Sequence, residues 1–182
     1  MSQRNLDRLV ANIREAAATD DSSFAVREML LESQMQKDVL ADEIEAMPED
    51  EVLLFEDETC SIWTCRFGSD VVLAPHEHRM GAQIAVYRGI EVEVLYKREA
   101  GALRHGGNTN VEAGKVLRLG PDAIHAVTAH GDRQSIAIHV YEGPLTQIER
   151  SLFDWTTGEK VAFTMENFHA MARQRSEVVE LS

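Results

Sequence analysis

Two histidines one residue apart, His76 and His78, sit inside a run of β-forming residues and restrict the fold more than any other stretch of the chain. Val71-Val72-Leu73 precedes them and Ile84-Ala85-Val86-Tyr87 follows, both β-branched or aromatic in character. Residues i and i+2 of a strand point to one face about 7 Å apart, so two imidazoles there can converge on one ion. A helix at that spacing splays them about 200° apart. Imidazole suits iron, nickel, copper or zinc better than magnesium or calcium. Taken alone, the pair also has a plainer reading, two exposed histidines beside a turn.

A second stretch bears on the choice. Residues 114–125 run from Gly114 through Val116-Leu117-Arg118-Leu119 and a Gly120-Pro121 turn to His125. Together the two stretches resemble the two motifs of the cupins, with Gly68, His76, His78, Gln83 and Gly89 in the first and Gly114 to His125 in the second. The resemblance implies a metal site of His76, His78 and His125. Three departures stand out: Gln83 replaces a common glutamate ligand, Ala129 a common asparagine, and Gly68 lies two residues too far from the histidines. For Gln83 the plain role is a hydrogen bond that orients a neighbour.

A narrower resemblance follows. Ala137-Ile138-His139-Val140-Tyr141 is similar to the Ser-x-His-x-Tyr strand of cysteine dioxygenase and other thiol dioxygenases, with Ala137 in place of the serine. Residues 153–158 and 161–169 look like that family's C-terminal strands. The resemblance implies Fe(II) on the three histidines, with nickel, zinc, manganese or copper able to replace it in a purified sample. It implies catalytic roles for Tyr141, whose hydroxyl faces the open metal positions, and for His139, which holds that hydroxyl. The expected substrates are dioxygen and a small thiol, oxidised to a sulfinate. Two other readings use the same histidines: cleavage of a carbon–carbon bond in a diketone-like chelator, and a non-enzymatic metal-binding or sensor cupin.

The family's carboxylate-binding arginine has no counterpart in Val52-Leu53-Leu54-Phe55. Arg66, Arg79 and Arg88 read as solvated surface residues, so the expected substrate is a smaller or less charged thiol than a free amino acid. His105, His130 and His169 read as loop or terminal residues and not as ligands.

The remaining features set the frame. At 182 residues the chain fits one domain with a core of its own. A net charge of −13 repels phosphate backbones and anionic lipid, which makes nucleic acid and membrane surfaces poor partners. Cys60 and Cys65 would face opposite sides of a continuous strand and cannot bridge, so a reduced, cytoplasmic setting is expected. No signal-length apolar run and no stretch of 18 apolar residues is present. The composition does not indicate an oligomeric state.

Residues 5–18 carry a helical stripe of Leu6, Leu9, Val10, Ile13 and Ala17, and a second helical stretch over 24–47 has an expected break near Gln34 before Pro48 ends it. Short strands follow at 52–56, 59–67, 71–75, 83–88, 90–97, 116–119, 126–128, 135–141 and 161–164. Ile90-Glu91-Val92-Glu93-Val94 alternates like a half-buried antiparallel strand, and Gly106-Gly107-Asn108 reads as a loop. The expectation is a mainly β fold, a cupin (double-stranded β-helix, jelly-roll barrel) with N-terminal α-helices. Its segments are a helical layer over 1–48, the barrel over 49–169 and a frayed polar tail over 170–182.

Overall fold

A computed structural model describes residues 4–181; residues 1–3 and 182, at the outer edges of the first and last expected segments, lie outside it. The chain opens with α1 (Arg4–Ala17), α2 (Ser22–Ser33), a 3-10 turn over Gln34–Gln36 and α3 (Lys37–Glu45). The turn falls where a break was expected. Its cause is local: the Ser33 hydroxyl bonds back to Leu30 O at 2.7 Å and also meets the Tyr87 hydroxyl at 2.7 Å. Back-bonding of this kind competes with helix continuation. At the other end of the layer, the Glu43 carboxylate on α3 accepts the backbone N–H of Leu6 at 2.8 Å, satisfying a donor that α1 cannot pair internally.

The strands are β1 (Glu51–Glu56), β2 (Ser61–Phe67), β3 (Val71–Glu77), β4 (Ala82–Arg88), β5 (Ile90–Glu99), β6 (Ala102–Glu112), β7 (Val116–Leu119), β8 (Ile124–Ala129), β9 (Ser135–Tyr141), β10 (Ser151–Phe153), β11 (Lys160–Ala162) and β12 (Arg173–Gln174). They form two antiparallel sheets, β1-β2-β9-β4-β7 and β11-β10-β3-β8-β5-β6, with β12 added to β3. This is the double-stranded β-helix barrel of the cupin fold. The helices cover the outside of the first sheet, where Leu6, Ile13, Leu30 and Ile44 meet Ile62, Tyr87 and Ile138. That sheet is therefore buried on both faces, which is why β4 and β9 are almost wholly buried. Cys60 joins the helix-side core and Cys65 faces the barrel interior; both are buried and unbridged.

Four features differ from the sequence expectation. β3 does not stop at Pro75: the pairing with β8 shifts between Leu73 and His76, so the missing N–H of Pro75 falls in a bulge and the strand carries on to Glu77. The expected loop at Gly106-Gly107-Asn108 is part of the 11-residue strand β6, where Gly107 (φ 127°) lies opposite Leu95 at a bulge. Residues 165–169, expected as strand, belong to a helix, α4 (Met165–Ala170), whose first turn is capped by the Thr164 hydroxyl accepting Asn167 N–H at 3.0 Å. In place of a frayed tail, β12 pairs with β3, Arg175 donates to Ala129 O at 2.8 Å, and Val178 is buried.

Candidate metal centre

The bulge in β3 places His76 opposite His125 of β8, and His78 follows just past the strand end. All three rings are buried inside the barrel. His78 Nε2 lies 3.2 Å from His76 Nε2 and 3.2 Å from His125 Nε2. The opposite ring edges explain this arrangement. His76 Nδ1 donates to Ala74 O at 2.9 Å, and His125 Nδ1 donates to the Glu93 carboxylate. Their protons are thereby fixed on Nδ1, which leaves two Nε2 lone pairs aimed at His78 Nε2. Burial, and then the neighbouring His125, push His76 and His78 well below the usual histidine range, so both rings are neutral.

Lone pairs crowded at this distance repel unless a cation lies among them. Nitrogens bound to one ion at about 2.0–2.1 Å and near right angles are separated by about 3 Å, so the three residues fit a first-row metal. Among the described residues they form the one group of three metal-ligating side chains.

β9 supplies the adjoining wall. Tyr141 and His139 share its inner face; the Tyr141 ring lies 4.7 Å from that of His78, centroid to centroid. The Tyr141 hydroxyl is 3.3 Å from His139 Nδ1. On the other side of His139, Nε2 is 2.9 Å from Glu91 Oε1, but neither atom makes an aligned hydrogen bond, so the contact is a charge pair. Burial alone would lower the His139 pKa; Cys65 and Glu91 beside the ring more than offset it and hold the pKa well above the usual value.

Glu91 and Glu93 were missed as site residues. Their alternation with valines predicts a half-buried strand, but the acids face the barrel interior and both are fully buried, so both faces of β5 are covered there. The outer face of β5, with Val92 and Val94, is covered by Phe153, Trp155 and Val178. Burial raises the Glu91 carboxyl above the usual range despite the pull of His139. For Glu93 burial acts the same way, but His125 outweighs it and keeps the carboxyl low.

The histidines, Tyr141 and Cys65 line a cavity of about 50 Å³ together with Phe67, Phe163 and Phe168. Arg150, which the sequence reading does not single out, supplies a cation in the lining. The guanidinium stacks 3.3 Å from the Phe163 ring centroid, and burial pushes its pKa down to about 10 while Tyr141 and Glu51 act in the opposite direction. Arg150 immediately precedes β10, a three-residue strand too short for its pattern to register, and β10 carries Leu152 opposite His76. The arginines nearer in sequence are engaged elsewhere: Arg66 with Asp50 at 3.0 Å, Arg79 with Glu149 O at 3.1 Å, and Arg88 with Asp42 at 2.6 Å.

Gln83 lies on the outer face of β4 and donates to Ser23 O of the helical layer at 2.8 Å, away from the three histidines. His105 pairs with Asn108 at 2.8 Å, His130 is exposed, and His169 lies 3.6 Å from Glu51. Among the described residues no helix is long and apolar enough to cross a membrane.

No protein-family model matches the sequence. Solved structures with partial likeness include an uncharacterised protein with a double-stranded β-helix domain from Klebsiella pneumoniae, 17% identical over 58% of this chain and 86% of its own, with a TM-score of 0.41. A cupin superfamily protein from Desulfitobacterium hafniense is 17% identical over 57% of this chain and 86% of its own, with a TM-score of 0.43. A DMSP lyase from Ruegeria pomeroyi is 14% identical over 57% of this chain and 47% of its own, with a TM-score of 0.44. Apart from these partial likenesses, the chain's own strand order, with the histidines gathered between its two sheets, is that of a double-stranded β-helix of the cupin type.

Proposed function

We propose that the chain is an iron-dependent dioxygenase that converts a small, anionic thiol to a sulfinate. The observation that carries this reading is the convergence of three buried histidine Nε2 atoms on the wall of a cavity that also holds Tyr141 and Arg150. When bound, Fe(II) supplies open coordination positions at which a thiolate and dioxygen are brought together. Both oxygen atoms pass to sulfur, RS⁻ + O₂ giving RSO₂⁻, so no external reductant is needed.

The chain's own groups have separable roles in this scheme. His76, His78 and His125 hold the metal. Arg150 pairs with an anionic group at the far end of the substrate, and its stacking on Phe163 fixes the guanidinium plane. The Tyr141 hydroxyl donates a hydrogen bond toward the reacting atoms while His139 limits its rotation. Phe67, Phe163 and Phe168 exclude water, and the cavity volume limits the substrate to a few heavy atoms. Two buried free thiols are in keeping with a cytoplasmic location.

The test is oxygen uptake by Fe(II)-loaded protein with 3-mercaptopropionate, cysteine, cysteamine and acetylacetone. Uptake with the carboxylate-bearing thiols, with sulfinate as product, is the expected result. Uptake with acetylacetone alone points to carbon–carbon cleavage instead, and tight iron binding without turnover of any of the four points to a binding protein. Either result overturns the proposal.

A further inference from the structure

Glu93 and Glu91 project two residues apart from one face of β5, and that face looks into the barrel. Glu93 reaches its diagonal neighbour on the same sheet, His125 of β8. Glu91 reaches across to the other sheet, to His139 of β9, which in turn meets the Tyr141 hydroxyl. The two side chains are next neighbours on that inward face, about 7 Å apart along the strand. The groups therefore run in one line, from a candidate metal ligand past two neighbouring carboxyl groups to the tyrosine. Fully buried carboxyl groups are costly to a fold unless their partners compensate them. Here the partners are the two histidines, and one oxygen of Glu93 and both of Glu91 lack an aligned hydrogen bond.

We propose that Glu91 and Glu93 act as one positioning unit that ties the metal centre to Tyr141, with Glu93 fixing the ring of His125 and Glu91 fixing that of His139. The proposal rests on the metal-site reading above. A carboxylate on the far nitrogen of a ligand histidine fixes its ring and raises its basicity, and losing such a partner typically lowers metal affinity about 10–100-fold. Glu91 touches none of the three candidate ligands. An effect of Glu91 on metal affinity must therefore travel through Glu93 beside it on β5 or through His139 and Tyr141 to His78, and either route makes these side chains one unit rather than two separate pairs.

The experiment uses cobalt(II) alone as the probe, titrated against a chelator, with the wild type and the near-isosteric variants Glu93→Gln and Glu91→Gln. Glu93→Gln is expected to weaken cobalt binding about 10–100-fold. Glu91→Gln is expected to weaken it by more than twofold, without altering the folded far-UV spectrum. Cobalt affinity within twofold of wild type in either variant overturns the proposal. If the wild type binds no cobalt, the metal reading fails by itself. The coupling is then measured by histidine-ring nitrogen NMR of the metal-free protein: a shift of the His125 ring in Glu91→Gln supports the unit, and an unshifted ring overturns it. Should Glu91→Gln not fold, Glu91→Asp takes its place in the same NMR measurement: a shifted His125 ring supports the unit, and an unshifted ring overturns it.

Discussion

Replacing Tyr141 by phenylalanine removes one oxygen atom and leaves the ring packed against His78 and the inner wall. The hydroxyl makes one hydrogen bond, to His139 Nδ1 at 3.3 Å, which is long for an O–H···N contact. Its loss should therefore fall at the low end of the usual range for a hydrogen bond, about 0.5–1 kcal/mol. In a domain of this size that lowers the Tm by about 1–4 °C. The effect on rate is on a different scale. Removing a positioned donor to developing charge typically costs about 10²-fold, or about 2.7 kcal/mol. Burial raises the Tyr141 pKa well above 10, so the hydroxyl remains a donor at any working pH. Tyr141→Phe should thus keep its metal content and nearly all its stability while oxygen uptake on the best thiol drops at least tenfold. Metal analysis, thermal denaturation and an oxygen electrode measure the three quantities on one preparation. Full metal together with undiminished uptake would refute the role assigned to the hydroxyl.

Further outcomes are specific to other residues. His125→Ala should lose iron sharply, by metal analysis after dialysis; iron content equal to the parent's would mean that the third ligand is another residue. Arg150→Met should raise KM about tenfold or more for 3-mercaptopropionate, the loss expected for one charge-assisted hydrogen bond, and leave KM for cysteamine unchanged. An equal change for both thiols would remove Arg150 from substrate recognition. In the metal-free protein, His76 and His78 titrate in the folded state below the value of 6.5 that they have when unfolded. Below pH 6.5 the unfolded chain then binds more protons, so stability from this source is complete above 6.5 and is lost as the pH falls. Denaturant melts between pH 7.5 and 5.5 should show a shallower decline for His78→Asn than for wild type, by up to about 1.4 kcal/mol per pH unit. Parallel slopes would contradict the depressed pKa of His78.

What could be read from the sequence was local, and what could not depended on distant cover. The period of two that puts His76 beside His78, and His139 beside Tyr141, is a property of any strand and needs no tertiary information. The stripe along α1 and the break at Gln34 are likewise written in a few neighbouring residues. The direction of Glu91 and Glu93 is different. Alternation gives two faces but not which of them is inside, and here the nominal outside is sealed by Phe153, Trp155 and Val178 from much later in the chain. The expectation of a frayed tail and that of a half-buried strand fail for one reason, since the C-terminal segment is what covers the second face of β5. Arg150 was hidden in the same way, because the short strand after it gave no pattern to place it next to His76.

The seat of β12 has a consequence for how the barrel is assembled. Arg173 pairs with Val72, residues 101 positions apart (173 − 72), and this contact covers an edge of the strand that leads into the histidine pair. Until those later residues have been synthesised and have docked, β3 keeps a row of unsatisfied amide groups open to other chains. Long-range closure of this kind is slow, and the waiting intermediate is prone to aggregate. A nascent chain stalled before residue 173 would hold all three clustered histidines and still offer a neighbouring chain a bare strand edge on which to template.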